Sequence, residues 1–156
     1  VGLKNWQGQG PNYVPAYQAS GTPFVTSSDG NNVDDMPRRI SFPYVTRFFQ
    51  VTNTGARPLR VGFSENGIQG AGGSVSGSAY ERLGKSKNYI VISGSACDGT
   101  TTATGGTVRL ELRCKELWVM ADGSDNTGFS LVAGLTGIHH TQFPNLTGSN
   151  GFQGVG

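Results

Sequence analysis

Residues 107–122, with the sequence TVRLELRCKELWVMAD, constrain the fold of this chain more than any other segment. Apolar and charged side chains alternate from residue 107 to residue 115, and the alternation resumes from residue 117 to residue 121. A period of two is that of a strand with one buried face, whereas a helix would spread these charges over its whole surface. The segment therefore predicts two strands of a half-buried antiparallel sheet, joined by a tight corner or a bulge at residues 115–116.

The composition of the rest of the chain favours short strands over helices. The 156 residues include 25 Gly and 7 Pro, and only 14% of them are charged. Such a chain suits one domain built from strands and long turns. The net charge of +2 creates no strong field toward nucleic acid, and no apolar run approaches the roughly 18 residues of a membrane span. We therefore predict no direct nucleic-acid partner and no membrane span.

Five further strands are predicted from apolar runs bounded by turn residues. They cover residues 39–42, 45–53, 59–64, 89–93 and 129–135. With the central pair and one edge strand, the count is about eight, which predicts an all-β fold, a single jelly-roll sandwich of antiparallel strands. An immunoglobulin-type sandwich is disfavoured because Trp118 follows both cysteines. The predicted core comprises Val61, Phe63, Val91, Leu110, Leu112, Phe129 and Leu131.

The ends of the chain differ from its middle. We predict an extended N-terminal arm at residues 1–26, the jelly-roll domain at residues 27–138 and a Gly-rich tail at residues 139–156. Three prolines in the arm disfavour a helix and a central strand. Its aromatic rings nevertheless need a surface, either on the chain's own sandwich or on a neighbouring subunit. Phe48 lies on the strand face opposite the main core. The predicted contacts with a neighbouring subunit are Trp6, Tyr13, Tyr17, Phe24 and Phe48.

No segment of the sequence assembles a convincing active site. Asp122 and Asp125 resemble half of a calcium loop but lack the later Glu, and the same residues beside Gly favour ordinary turns. His139 and His140 are adjacent, so on an extended chain they would point in opposite directions. We predict that the protein is not an enzyme and has no catalytic residues, no cofactor and no metal site.

Three other features leave alternatives open. Cys97 and Cys114 could form one disulfide, but two free thiols are favoured because small disulfide-dependent domains carry more cysteines. Asn145 begins a glycosylation sequon, which has meaning only in a secretory compartment. Residues 65–87 predict a long loop with one short edge strand at most, and loops of this length are usually functional or disordered.

Three stretches of the chain together resemble one family. They are VPAYQASGTPFVTSS at residues 14–28, ISFPYVTRFFQVTNTGARPLRVGFSENGI at residues 40–68, and the pair VRLELRCKELWVM and GFSLVAGLTGI at residues 108–120 and 128–138. In order and spacing they resemble the small single jelly-roll capsid proteins that form the penton at the vertices of large icosahedral double-stranded DNA viruses, the nucleocytoplasmic large DNA virus type.

This resemblance implies a structural function in the virion. It implies a homopentamer at a five-fold vertex of the capsid, assembled in the host cell. Its neighbours would be trimers of a double jelly-roll major capsid protein and minor capsid proteins. Members of the family act by assembly, so the resemblance carries over no catalytic residue.

The alternative function is a carbohydrate-binding jelly-roll module used for attachment. Such a module should present exposed aromatic side chains on a concave strand face, beside calcium or polar groups. The outward strand positions in this sequence carry Arg60, Arg109, Glu111 and Arg113 instead, and the spare aromatic residues lie in the arm. The pattern therefore favours assembly.

Overall fold

The computed structural model describes residues 10–28, 32–69, 88–95, 105–146 and 154–156. Within these ranges the chain forms eight β-strands, two one-turn α-helices and one 3-10 turn. The elements are α1 (Val14–Gln18), β1 (Thr22–Ser27), β2 (Arg38–Ser41), β3 (Tyr44–Asn53), β4 (Leu59–Gly62), α2 (Glu65–Gln69), β5 (Tyr89–Ile92), β6 (Thr107–Leu110), β7 (Glu116–Ala121), β8 (Phe129–His139) and the 3-10 turn His140–Gln142.

The strands form two four-stranded sheets. The first sheet has the order β1-β8-β3-β6, and the second has the order β2-β7-β4-β5. All pairs are antiparallel, and β1 pairs with β8, β2 with β7, β3 with β6 and β4 with β5. This nesting is that of one long hairpin rolled up into two layers, which is the topology of a jelly roll. The predicted all-β, jelly-roll-like sandwich of eight antiparallel strands is confirmed.

The core lies between the sheets and follows the period of two. The inward positions of the central strands are fully buried, while the intervening side chains face outward. The inward set includes Phe49, Val51, Leu59, Val61, Leu117, Val119 and Leu131. Burial of each such side chain contributes on the order of 1.5–3 kcal/mol relative to exposure. The predicted core positions Val61, Phe129 and Leu131 are buried, and Phe63 and Leu110 are partly buried against the core.

The prediction that a tight corner or a bulge joins two strands of one sheet here is wrong, because β6 and β7 belong to different sheets. Strand β6 ends at Leu110, and the chain then crosses to the second sheet before β7 begins. In the crossover the Thr46 hydroxyl donates to the carbonyl of Leu112 at 2.7 Å and accepts from the backbone N–H of Cys114 at 3.0 Å. Leu112 is 42% exposed, so its predicted place in the core is also wrong.

The prediction for β5 is wrong by one residue. Val91 is half exposed, whereas Ile92 is 5% exposed and packs into the core. β5 is an edge strand, and Ile90, which lies on the same face as Ile92, is 39% exposed. Burial on the core face is therefore confined to the end of the strand at Ile92, a distinction that four consecutive apolar residues do not encode.

The described part of the arm folds on its own sandwich. Pro15 lies in the first turn of α1, where a missing N–H costs nothing, so the expectation that prolines exclude a helix here is wrong. Strand β1 pairs with β8 along its whole length, and its edge position tolerates Pro23. The predicted boundary after residue 26 thus falls inside β1, and β8 extends one residue into the predicted tail.

Candidate interaction surface at the arm end

The sandwich has two ends that differ in their loops. We call one of them the arm end: it contains α1, the crossover from β6 to β7 at residues 111–115, and the last residue of β8. The other, the network end, contains the turn at residues 54–58, the β1–β2 connection and the β7–β8 connection. Because all strand pairs are antiparallel, each connection is placed at one of these two ends.

Two arginines hold the arm against the first sheet at the arm end. An Nη1 atom of Arg47 donates to the carbonyl of Ala19 at 2.5 Å, and an Nη1 atom of Arg113 donates to the carbonyl of Pro11 at 2.9 Å. The Arg113 guanidinium lies 5.1 Å from the ring centroid of Tyr17. The hydroxyl of Tyr17 also donates to the Pro11 carbonyl, at 2.9 Å. No residue of α1 is buried, so these polar and ring contacts carry its attachment.

Arg47 reaches this surface because β3 is irregular. The register between β3 and β8 shifts between Tyr44 and Thr46 and again between Thr46 and Phe48. Val45 and Thr46 are consequently both buried, which breaks the alternation of inward and outward side chains. Arg47 therefore does not face the core as Val45 and Phe49 do. The sequence contains the signal for this irregularity, namely a charged residue in phase with Val45 and Phe49, but our prediction did not identify Arg47 as a surface contact.

A groove of about 600 Å³ opens beside these contacts. It combines two arginines with a carboxylate, a phenol, an amide and one apolar side chain. Its lining consists of Asn12, Val14, Tyr17, Arg47, Glu111 and Arg113. The carboxylate of Glu111 is engaged by Arg109 at 3.1 Å, so the groove presents a net positive surface.

The predicted contact residues have different environments. Tyr13 is 46% exposed, and Tyr17 lines the groove. Phe24 instead packs inward, with its ring edge-on to Phe42 at a centroid distance of 5.1 Å. Phe48 is partly buried on the outer face of the first sheet, where the ring lies against Gly134 and beneath the guanidinium of Arg109 at 4.2 Å. Trp6 lies outside the described residues.

A second groove at the arm end surrounds the segment after β8. Its volume is about 810 Å³, and its lining includes Arg39, Phe42, Lys115 and His140. The ammonium of Lys115 donates to the carbonyl of Phe143 at 3.2 Å and also to the side-chain oxygen of Asn145. This cation therefore fastens the segment after β8 in the way that the two arginines fasten the arm.

The two histidines do not point in opposite directions as we expected. Strand β8 ends at His139 and the 3-10 turn begins at His140, which brings the ring centroids within 4.4 Å of each other. The Nδ1 atom of His139 is 2.8 Å from the hydroxyl of Thr141. The end of the strand, rather than an extended backbone, sets the geometry of this pair.

The carboxylates of the half calcium loop are already paired with arginines. Asp122 contacts Arg60 at 2.6 Å, and Asp125 contacts Arg57 at 2.9 Å. Within the described ranges, no group of three or more His, Cys, Asp or Glu side chains is arranged to hold a metal ion. Across the same ranges no helix is long and apolar enough to cross a membrane.

Cys114 is a free, buried thiol at the crossover. Burial raises the pKa of the Cys114 thiol to about 12, although a hydrogen bond with Thr46 acts in the opposite direction. The thiol is therefore protonated at neutral pH and is a poor nucleophile. Cys97 lies outside the described residues.

Comparison of the chain with protein-family models, with curated proteins and with solved structures finds no significant match.

Proposed function

We propose that this chain is a structural capsid protein that forms the homopentameric penton at the vertices of an icosahedral large DNA virus. In this function it is seated among trimers of a double jelly-roll major capsid protein. The observation that carries the proposal is the nested pairing of eight strands in a single jelly-roll-like sandwich. Viral capsid proteins are one of the main groups of proteins built on that architecture.

The stretches that carry the family resemblance coincide with the elements of this sandwich. Residues 14–28 contain α1 and β1, and residues 40–68 contain β3, β4 and nearly all of α2. Residues 108–120 and 128–138 cover most of β6, β7 and β8. Only β5 among the described strands lies wholly outside these stretches. The resemblance therefore rests on the framework of the fold and not on a surface loop.

Exposed apolar side chains at the arm end support contacts with other proteins. Of the nine large hydrophobic side chains described as exposed, four belong to elements at this end, namely Tyr13, Val14, Tyr44 and Leu112. Large apolar side chains gathered in one region of a surface commonly mark protein–protein contacts. The arm end is therefore the surface that we assign to subunit or capsid contacts.

The outward strand positions give less support to the carbohydrate-binding alternative. Of the large hydrophobic side chains described as exposed, the aromatic ones are Tyr13 and Tyr44, and neither lies in the middle of a sheet. On the second sheet, Tyr89 is covered by the guanidinium of Arg60, which is 4.5 Å from its ring centroid and also binds Asp122. An aromatic platform for a sugar ring is thus lacking on the described strands.

Native mass spectrometry of the full chain tests the proposal. We expect a species with five times the 16.4 kDa chain mass. A chain that stays monomeric at all concentrations, and that binds defined oligosaccharides on a glycan array, would refute the penton function and favour the attachment module.

A truncation shows whether the arm contributes to assembly. Removal of residues 1–19 leaves β1 intact, so we expect a folded sandwich with the same β signal in circular dichroism and reduced pentamer formation. Removal of residues 1–26 deletes almost all of β1, which pairs along its length with β8, and should destabilise the first sheet itself. A pentamer that forms fully without residues 1–19 would move the subunit contacts away from the arm.

A further inference from the structure

The described part of the chain leaves charges of opposite sign unmatched. Most of its carboxylates are paired with arginines. The pairs are Arg38–Asp34, Arg39–Glu116, Arg57–Asp125, Arg60–Asp122 and Arg109–Glu111. Among the described residues, the carboxylates of Asp35 and Glu65 form no salt bridge with a described arginine or lysine. The cations of Arg47, Arg113 and Lys115 form no salt bridge with a described carboxylate.

The unmatched cations are all at the arm end. Arg47 and Arg113 line the 600 Å³ groove, and each has one N–H group engaged by a backbone carbonyl of the arm. A guanidinium carries five N–H donors in a planar fork that fits a carboxylate, so both residues retain donors for a ligand. The groove therefore has the chemistry to accept a carboxylate from outside the chain.

Asp35 is at the opposite end. It follows Asp34, whose backbone carbonyl accepts from the N–H of Ala121 and so fixes this segment at the network end. Asp35 itself is exposed. The other described carboxylates at this end, Asp34, Asp122 and Asp125, are each paired with an arginine. Asp35 is therefore the carboxylate at this end that no described cation pairs with.

We infer that the cationic groove of one copy binds the exposed carboxylate of Asp35 of a second copy. This inference rests on the proposed pentamer, for which it names the subunit contact. The contact joins two different surfaces of the same chain, so it is heterologous, and it closes into a ring rather than a filament when the rotations between neighbouring copies sum to a full turn. The exposed arm residues Tyr13 and Val14 border the groove or line it and would be covered by the neighbouring copy.

Charge reversal tests the contact. The single variants Arg113→Glu and Asp35→Lys each place like charges opposite one another, and each should raise the concentration needed for half-assembly by about a hundredfold. The double variant Arg113→Glu with Asp35→Lys restores opposite charges at every subunit contact. We expect its assembly to return to within about tenfold of the wild type. Sedimentation velocity measures all three variants, and circular dichroism verifies that each is folded.

Two matched controls separate this contact from a general effect of charge. Lys115→Glu reverses the unmatched cation of the arm end that does not line the groove, and Glu65→Lys reverses the other unmatched carboxylate, which lies at the start of α2. Both should assemble within about threefold of the wild type. Assembly lost through Glu65→Lys and kept in Asp35→Lys would overturn the inference.

The outcomes also distinguish the inference from the proposed function. A pentamer that survives both single reversals overturns the inference and leaves the penton function in place. Single reversals that abolish assembly without recovery in the double variant likewise overturn the pairing of these two surfaces. A wild-type chain that is monomeric under all conditions refutes the penton function, and the inference with it.

Discussion

The network end of the sandwich and the arm are held in place by different kinds of contact. At the network end, the buried side chain of Asn53 makes four hydrogen bonds. Its amide donates to the carbonyls of Arg57 and Ile92, and its oxygen accepts from the N–H of Gly55 and the hydroxyl of Thr127. At the arm end, exposed cations donate to backbone carbonyls of the arm. The first kind of contact is inaccessible to water, and the second is not.

This difference predicts which part of the molecule resists local opening and which part opens readily. A fully satisfied buried network is costly to open, because each group that loses its partner keeps its desolvation penalty. An exposed contact between a cation and a carbonyl can be replaced by water at little cost. The network end should therefore unfold only with the whole domain, whereas the arm can detach and rebind.

The largest expected effect comes from a matched pair of leucine substitutions. Leu59 is fully buried where β4 begins at the network end, and Leu112 is 42% exposed at the arm end. Leu59→Ala should lower the free energy of unfolding by about 2–5 kcal/mol, because it leaves a cavity in the core. Leu112→Ala should change it by about 0.5 kcal/mol or less. Urea denaturation of both variants measures the difference, and equal losses would mean that the crossover at Leu112 is packed as tightly as the core at Leu59.

The buried network gives the next largest effect. Asn53→Ala removes both donors and the acceptor, leaving the carbonyl of Ile92 and the N–H of Gly55 without their side-chain partner, and should cost about 3 kcal/mol in the free energy of unfolding. Thr127→Val removes the hydroxyl alone and should cost about 1 kcal/mol.

A double-mutant cycle shows whether these groups act as a unit. The double variant of Asn53 and Thr127 should cost less than the sum of the two single variants, since the hydroxyl of Thr127 donates to the side chain of Asn53 and lies within 2.7 Å of the Arg57 carbonyl. Additive losses in urea denaturation would indicate independent contacts, contrary to the network that we describe.

The sequence predicts the sandwich well and the crossing between its sheets poorly. Alternation identified β3, β4, β7 and β8, because each has one face against a common core. The same alternation continues through residues 111–115, where the chain belongs to no strand. There the hydroxyl of Thr46 replaces part of the strand pairing, and only the tertiary structure brings it to Cys114.

The candidate surface could be predicted only in part. The excess of aromatic residues in the arm indicated a contact region, and Tyr13 and Tyr17 lie at the arm end. Phe24 could not be separated from them by composition, because its burial depends on the pairing of β1 with β8. Arg47 and Arg113 are distant in sequence, and the register shift of β3 is needed to bring them to one groove.

Cys114 gives a smaller effect that depends on pH. Burial raises the pKa of its thiol from 9.0 to about 12, so the protonated thiol is favoured in the folded state. Its contribution to stability is complete below pH 9 and is lost as the pH rises toward 12. The free energy of unfolding should fall by about 1.4 kcal/mol from this group between pH 7 and pH 10. The variant Cys114→Ala, compared by urea denaturation at both pH values, should lack this component, and an identical pH dependence in both proteins would refute it.

The smallest expected change in stability is at the arm itself. Arg113→Met removes the hydrogen bond to Pro11 and the contact with the Tyr17 ring but keeps an apolar side chain of similar length. The free energy of global unfolding should change by about 0.5 kcal/mol or less, because both contacts are exposed. Local opening of the arm should nevertheless increase about fivefold, which corresponds to the loss of about 1 kcal/mol of local attachment.

Limited digestion with chymotrypsin, followed by mass spectrometry, measures cleavage after Tyr13 and Tyr17. The matched variant Arg109→Met alters an arginine of the same sheet that does not hold the arm, and its cleavage rate should equal that of the wild type. If Arg113→Met is cleaved no faster than Arg109→Met, the arm is attached by contacts other than the arginine, and the contrast between the two ends is smaller than the geometry indicates.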